Sequence, residues 1–215
     1  MKLFIGCSST NNIPDKYLKD CSNYLDELLR ENDIVFGGCS TGLMGLAYNI
    51  TKEYNNKVIG ISPTIFKSDL DILDCDEKII TENTSCRTEE LINNSDALIF
   101  LPGGIGTIYE LFTAIELKRN HEFNKPIVLY NSNQYFTKLL NFLSTMYEEG
   151  FADCNIKSYY HVSDSVADTI KYLNKYKELY MKHAQGILNE EETIMLLSMQ
   201  SFMDKHDYSI SSIKT

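Results

Sequence analysis

The sequence has no block of lysine or arginine, although its 215 residues include 20 of these against 30 acidic residues. The formal net charge is −10. A protein that follows a nucleic-acid backbone or an anionic membrane needs a concentrated positive surface. The composition therefore argues against a nucleic acid or a membrane as partner and favours a small-molecule ligand.

Long apolar runs and paired cysteines are also missing. No stretch reaches the roughly 18 consecutive apolar residues that cross a bilayer, and the first apolar run is too short for a signal peptide. The six cysteines form no C-x-x-C pair and have no histidine at metal-ligand spacing. We therefore expect a soluble, cytoplasmic protein with free thiols and without a cysteine-bound metal.

Short runs rich in Ile, Val and Phe alternate with segments of helical period along the chain. This alternation is typical of βαβ units and predicts an α/β fold, a Rossmann-like doubly wound parallel sheet with helices on both faces. The predicted strands are residues 2–7, 33–36, 57–61, 78–81, 96–101, 126–130 and 159–162. The predicted helices are one across residues 17–28, then 41–54, 86–93, 107–118, 134–148 and 163–176.

Two segments fit this alternation less well. Residues 62–77 form a long acidic connection containing Pro63, which either lies over a ligand site or is plain surface. We assign residues 1–176 to the Rossmann-like domain and residues 177–215 to a C-terminal helical extension. A helix capped by Asn189 is predicted there, with Ile194, Leu197 and Met203 docking on the core or on a partner subunit.

The most informative motif is PGGIGTIYE at residues 102–110, which follows a predicted strand and opens the next helix. Glycines let the backbone approach an anion closely, and the free amides and dipole of a helix start attract it. A second glycine turn, GGCSTGLMG at residues 37–45, and Ser8 follow two other strands. All three meet at the carboxyl edge of a parallel sheet, which favours phosphate binding over a plain connection.

Other nucleotide and hydrolase motifs are missing. The glycine spacing matches neither the dinucleotide G-x-G-x-x-G nor the P-loop, so NAD and Mg-ATP are weakly supported. The four histidines accompany no nucleophile elbow, which argues against a triad hydrolase.

Two charged side chains are the candidate catalytic groups. Glu110 lies one turn into its helix, within reach of a sugar whose phosphate is held at the helix start; it could also merely complement the helix dipole. Arg87 begins a helix, where a positive charge opposes the dipole, so an anionic ligand would explain it. Its alternatives are a solvated surface position and a pair with Glu90.

These motifs, with Arg87, the Ser95–Ala97 triplet and the string P-G-G-x-G-T-x-x-E, resemble the LOG (lonely guy) family, whose members were formerly labelled lysine decarboxylases. The resemblance runs from Met1 to about Tyr176. It implies hydrolysis of the N-glycosidic bond of a nucleoside 5′-monophosphate, AMP or an N6-substituted AMP, without a cofactor. It also implies a homodimer or larger homo-oligomer, with the glutamate-bearing helix close to the interface.

The resemblance assigns Arg87 and Glu110 as the catalytic pair. Together, the turns and the resemblance predict the following substrate-binding residues: Ser8, Gly38, Gly42, Thr88, Gly103, Gly104, Ile105, Gly106 and Thr107.

The sequence departs from the family pattern at Thr88, where the family has lysine, and at Tyr109 and Thr113, where it has acids. Two other interpretations stay open. One is a nucleotide sensor on the same scaffold that binds without cleaving. The other is an amino-acid decarboxylase, for which the sequence shows no evident pyridoxal lysine context.

Overall fold

A computed structural model describes residues 1–152 and 156–200 of the chain. Its strands are β1 (Lys2–Gly6), β2 (Asp33–Phe36), β3 (Val58–Pro63), β4 (Glu77–Thr81), β5 (Ala97–Phe100), β6 (Ile127–Tyr130) and β7 (His161–Ser163). Every pairing between them is parallel, and they form one sheet in the order β4-β3-β2-β1-β5-β6-β7.

The helices of the described residues cover both faces of this sheet. They are α1 (Asp15–Leu28), α2 (Gly42–Glu53), α3 (Lys67–Asp71), α4 (Thr84–Asn93), α5 (Ile105–Arg119), α6 (Thr137–Glu148), α7 (Val166–Ala184) and α8 (Glu190–Gln200). Alternate strand residues point to opposite faces. Leu3 and Ile5 pack with α1, α2 and α7, whereas Phe4 packs with α4, α5 and α6. The predicted doubly wound fold is confirmed.

The chain order creates a crevice at the carboxyl edge of the sheet. From β1 the chain moves outward through β2 and β3 to β4, and then crosses to β5 on the other side of β1. The connections after β1 and β5 therefore leave in opposite directions, which is where doubly wound folds bind ligands.

Several predicted ends differ from the structure for local reasons. The helix predicted to end at residue 176 continues to Ala184, because no glycine or proline interrupts it and Leu179 is fully buried further along. The last strand begins later than predicted, since Ile156–Tyr159 forms a 3-10 turn. The helix predicted from residue 134 begins at Thr137, after two residues with positive φ.

The C-terminal helix α8 forms where Asn189 predicts it. The Asn189 Oδ1 accepts from the Glu192 amide at 2.8 Å, and the Glu192 carboxylate accepts from the Asn189 amide at 3.2 Å, which is a capping box. The buried side of α8 is formed by Leu196 and Met199, which pack on α7 through Tyr176 and Leu179; the predicted Ile194 is exposed instead. Met203 lies outside the described residues, and the division into domain and extension stays a prediction.

No described helix combines the length and apolar character needed to span a membrane. The cysteines within the described residues are free thiols, and Cys154 lies outside them.

Candidate functional site

A cavity of about 390 Å³ opens at the carboxyl edge of the sheet, within the size range of small-molecule sites. Its walls come from the segments after β1, β2, β3 and β5 and from the start of α4. The lining residues are Cys7, Ser8, Ser9, Thr10, Gly37, Gly38, Cys39, Met44, Pro63, Phe66, Asp69, Thr84, Arg87, Gly104, Gly106, Thr107 and Glu110.

The start of α5 forms one wall of the cavity. Gly104 is the N-cap residue, and no side chain caps the first amides of the helix. A Cβ at either Gly104 or Gly106 would meet open space, so the backbone is unobstructed there. Amides at a helix start need acceptors, and an anion in the cavity would supply them.

Two of the binding residues predicted in this motif do not line the cavity. Gly103 supports the turn: a Cβ would collide with the Thr107 hydroxyl, and the Gly103 carbonyl accepts from the Tyr135 hydroxyl at 2.6 Å. Ile105 is 88% exposed and faces away. The structure therefore brings Gly104, Gly106 and Thr107 to the cavity, and we call these three residues the phosphate cradle.

The second glycine turn forms the neighbouring wall through Gly38, whose φ of 75° favours glycine. Ser8 also lines the cavity, and its amide donates to the Pro102 carbonyl at 3.1 Å, which joins the β1 and β5 loops. Gly42, which we predicted as a binding residue, does not line the cavity. Its φ is 63°, and a Cβ would strike the Ser8 carbonyl, so this glycine is needed for loop packing.

The two candidate catalytic side chains form an ion pair. The Arg87 Nη2 lies 2.8 Å from the Glu110 Oε1, with 13% and 5% of the respective side chains exposed. Arg87 therefore pairs across helices rather than with Glu90, whose carboxylate accepts from Asn94. Gly37 lies against this pair, because a Cβ there would be 2.9 Å from the Arg87 Nη1.

Electrostatics distinguish Glu110 from a surface acid. Burial raises the pKa of Glu110 to about 7, and the neighbouring Arg87 guanidinium limits the rise. Burial also raises the pKa of Cys7, with a further contribution from the Glu110 charge, so that thiol stays protonated. The Arg87 Nε is buried and has no hydrogen-bond partner among the described residues, so one guanidinium donor is left unsatisfied.

Thr88 does not belong to the cavity. Its side chain is fully buried, and its hydroxyl donates to the Thr84 carbonyl at 3.1 Å one turn earlier in α4. The structure therefore does not bring the predicted binding residue Thr88 to the cavity. The neighbouring Arg87 points into the cavity because adjacent helical residues project in different directions.

The segment after β3 forms a wall of the cavity, although none of its residues was predicted individually as a binding residue. Pro63, Phe66 and Asp69 line the cavity from the segment that we described as lying either over a ligand or on plain surface. The position of this segment after a strand that neighbours a glycine turn was the available signal. Among the described residues, no group of three or more His, Cys, Asp or Glu side chains is placed to hold a metal.

The chain matches the family model described as "Possible lysine decarboxylase" over residues 44–173, more than half of its length. Curated relatives include two cytokinin riboside 5′-monophosphate phosphoribohydrolases of Arabidopsis thaliana. LOG4 is 30% identical over 195 residues, and LOG1 is 32% identical over 197 residues; each alignment covers 90% of this chain and 91% of the relative. The chain belongs to the LOG family.

Solved structures show the same fold at lower identity. The molybdenum cofactor carrier protein of Chlamydomonas reinhardtii is 20% identical, with a TM-score of 0.59 over 81% of this chain and 96% of that one. The molybdenum cofactor binding protein of Rippkaea orientalis is also 20% identical, with a TM-score of 0.59 over 80% and 94%. Helix α8 of this LOG-family chain lies beyond the segment that the family model matches.

Proposed function

We propose that this LOG-family chain hydrolyses the N-glycosidic bond of a nucleoside 5′-monophosphate, either AMP or an N6-substituted AMP. The products are the free base and ribose 5-phosphate. The buried Arg87–Glu110 pair beside the uncapped amides of α5 is the observation that carries the proposal. The names of the curated relatives support the same reaction.

The substrate phosphate binds at the start of α5, against the amides near Gly104 and Gly106. Each helix-start contact with an anion stabilises binding by about 0.3–1 kcal/mol when exposed, so several amides must act together. This arrangement predicts that the phosphate is needed for tight binding and that a nucleoside without it is a poor substrate.

Glu110 acts on the sugar that follows the phosphate. Breaking the bond at C1′ develops positive charge on the ribose ring, and a nearby carboxylate stabilises that charge. The same carboxylate positions the attacking water and accepts its proton, for which a pKa of about 7 is well matched. Arg87 holds Glu110 in place, favours its ionised form and assists departure of the base.

Incubating the purified protein with AMP and with adenosine, followed by chromatography, tests the proposal. We expect adenine and ribose 5-phosphate from AMP and little or no adenine from adenosine. A nucleotide sensor would return AMP uncleaved, and that result would overturn the proposal that the protein is a hydrolase. An amino-acid decarboxylase is disfavoured because the described cavity lining contains no lysine that could hold pyridoxal phosphate.

We also propose a homodimer that uses the outer side of α5. Ile105 is 88% exposed and Tyr109 is 42% exposed on the helix that carries Glu110, and apolar exposure of this kind favours a subunit contact. Sedimentation of the parent and of Ile105→Asp tests this, with a dimer expected only for the parent. The cytoplasmic location stays a prediction.

A further inference from the structure

The wall after β3 lies at the opposite end of the cavity from the phosphate cradle. Strands β3 and β5 are separated by β2 and β1 in the sheet. At about 4.8 Å per strand, the ends of β3 and β5 are roughly 14 Å apart. A nucleotide held by its phosphate at α5 therefore extends past Glu110 and brings its base toward Phe66 and Asp69.

This wall is fixed on the sheet rather than loosely attached. Leu70 is fully buried and packs where Gly38 has no side chain; a Cβ on Gly38 would lie 2.9 Å from its Cδ1. The Ser62 hydroxyl donates to the Phe66 carbonyl at 3.3 Å, and the Thr64 hydroxyl donates to the Thr81 carbonyl at 3.0 Å. Phe66 and Asp69, which precede Leu70 in this segment, therefore keep a defined position at the rim of the cavity.

The charges in the cavity assign an orientation to the ligand. Asp69 lines the cavity and forms no ion pair or hydrogen bond within residues 1–152 and 156–200. The nearby Asp71 differs, because it pairs with Lys67 at 3.3 Å and does not line the cavity. A free carboxylate repels the phosphate, which favours binding of the phosphate at α5 and of the base at the Asp69 end.

A carboxylate at the end of the cavity that receives the base selects ligands by hydrogen bonding, because it can accept a hydrogen bond but cannot donate one. The exocyclic amino group of adenine donates, whereas a purine without a 6-substituent offers no donor at that position. Phe66, 53% exposed at the same rim, presents an aromatic ring against which a base can stack.

We propose that Asp69 is a specificity-determining residue that selects bases carrying an exocyclic amino N–H, with Phe66 as the stacking surface. This inference rests on the proposed nucleotide site. N6-substituted adenines satisfy it as well, because they retain one N6–H.

The test compares AMP with purine riboside 5′-monophosphate, which differs only by replacement of the amino group with hydrogen. Calorimetric dissociation constants are measured in the Glu110→Gln background, in which turnover is slow enough for binding to be read. We expect this background protein to bind AMP about tenfold more tightly than the analogue, and addition of Asp69→Ala to bring the ratio close to one. Asp71→Ala is the matched control and keeps the preference.

An AMP preference that survives Asp69→Ala, or no preference in the Glu110→Gln background itself, would overturn the role of Asp69. The failure of the proposed function looks different: the parent protein would leave AMP uncleaved while the ratio of dissociation constants still responded to Asp69→Ala. Asp69→Asn adds a graded check, because its amide oxygen still accepts but carries no charge; an intermediate ratio is expected.

Discussion

Helix α5 buries one titratable side chain near each end, in two different surroundings. Glu110, 4% exposed, faces the cavity and pairs with Arg87. Lys118, 1% exposed, donates to the backbone carbonyls of Lys125 at 3.1 Å and Met199 at 2.9 Å. Burial raises the pKa of the acid to about 7 and lowers the pKa of the lysine to about 7.

The comparison shows that a shifted pKa does not by itself identify a catalytic group. Both shifts arise mainly from the loss of water around a charge. Glu110 also lies beside a ligand-sized cavity and a cation, and a catalytic carboxylate needs such a place where a substrate can reach it. Lys118 contacts carbonyls of the chain, so its role is to join α5 to the C-terminal helix α8.

Glu110→Gln should have the largest effect on turnover. Gln keeps the size of the side chain but cannot accept a proton or stabilise positive charge, so base release from AMP should fall by about 10²–10⁴-fold. Glu116→Gln, on the same helix but exposed and paired with Arg119, is the control and should retain activity. Parental rates in Glu110→Gln would remove the carboxylate from the mechanism.

Replacement of Arg87, the cation paired with Glu110, tests whether Glu110 is the group whose titration limits turnover. Arg87→Ala should lower kcat/KM for AMP by about 10–10³-fold at neutral pH. Arg87 lowers the pKa of Glu110, so without it that pKa rises further and the carboxylate ionises only at higher pH. The rising limb of the pH–rate profile, expected near pH 7 in the parent, should move upward.

The control for this shift is Arg30→Ala, which removes an exposed arginine paired with Asp26. A parental pH profile in Arg87→Ala would mean that the rate-limiting proton does not belong to Glu110.

Gly106→Ala separates binding from stability at the cavity end of α5. A methyl group there meets no protein atom and improves helix propensity by up to about 1 kcal/mol, so unfolding should need at least as much denaturant as in the parent. The same methyl group occupies space in front of the amides, and KM for AMP should rise about tenfold or somewhat less. Gly45→Ala in α2 is the contrasting case, because its Cβ would collide with the Ser40 backbone and destabilise the fold.

The sequence predicted the cavity end of α5 far better than its other end. Glycines, a preceding strand and a carboxylate one turn into the helix are a local pattern, and local patterns can be read along the chain. Lys118 carries no such signal, since its contact Met199 lies 81 positions away. For the same reason, the sequence could place α8 but not its buried side, which depends on where α7 continues beyond residue 176.

The site shows the same division between local and long-range information. The family resemblance predicted Arg87 and Glu110 as a catalytic pair, but their direct 2.8 Å contact depends on α4 and α5 lying side by side. Thr88 and Gly42 were predicted as ligand contacts from their positions in motifs, and packing turns both away from the cavity. The segment that carries Asp69 was expected either over a ligand or on plain surface, but Asp69 itself was not predicted, because which of its side chains reach the cavity depends on long-range packing.

The smallest expected effect on turnover comes from the far end of α5, through Lys118→Met. The unfolded lysine has its ordinary pKa near 10.5, and the folded one is lower, so between about pH 7 and 10.5 the unfolded state binds more protons. The free energy of unfolding contributed by this group therefore rises with pH across that window, by at most about 1.4 kcal/mol per pH unit. Urea titrations at several pH values should show the parent gaining stability relative to Lys118→Met as pH increases.

The exposed Lys138→Met should show no such divergence, and kcat for AMP should stay within about twofold in both variants because neither touches the cavity. Parallel pH dependences for the parent and Lys118→Met would show that the ammonium is not buried against the carbonyls of Lys125 and Met199. A large loss of kcat would show that Lys118, like Glu110, contributes to catalysis.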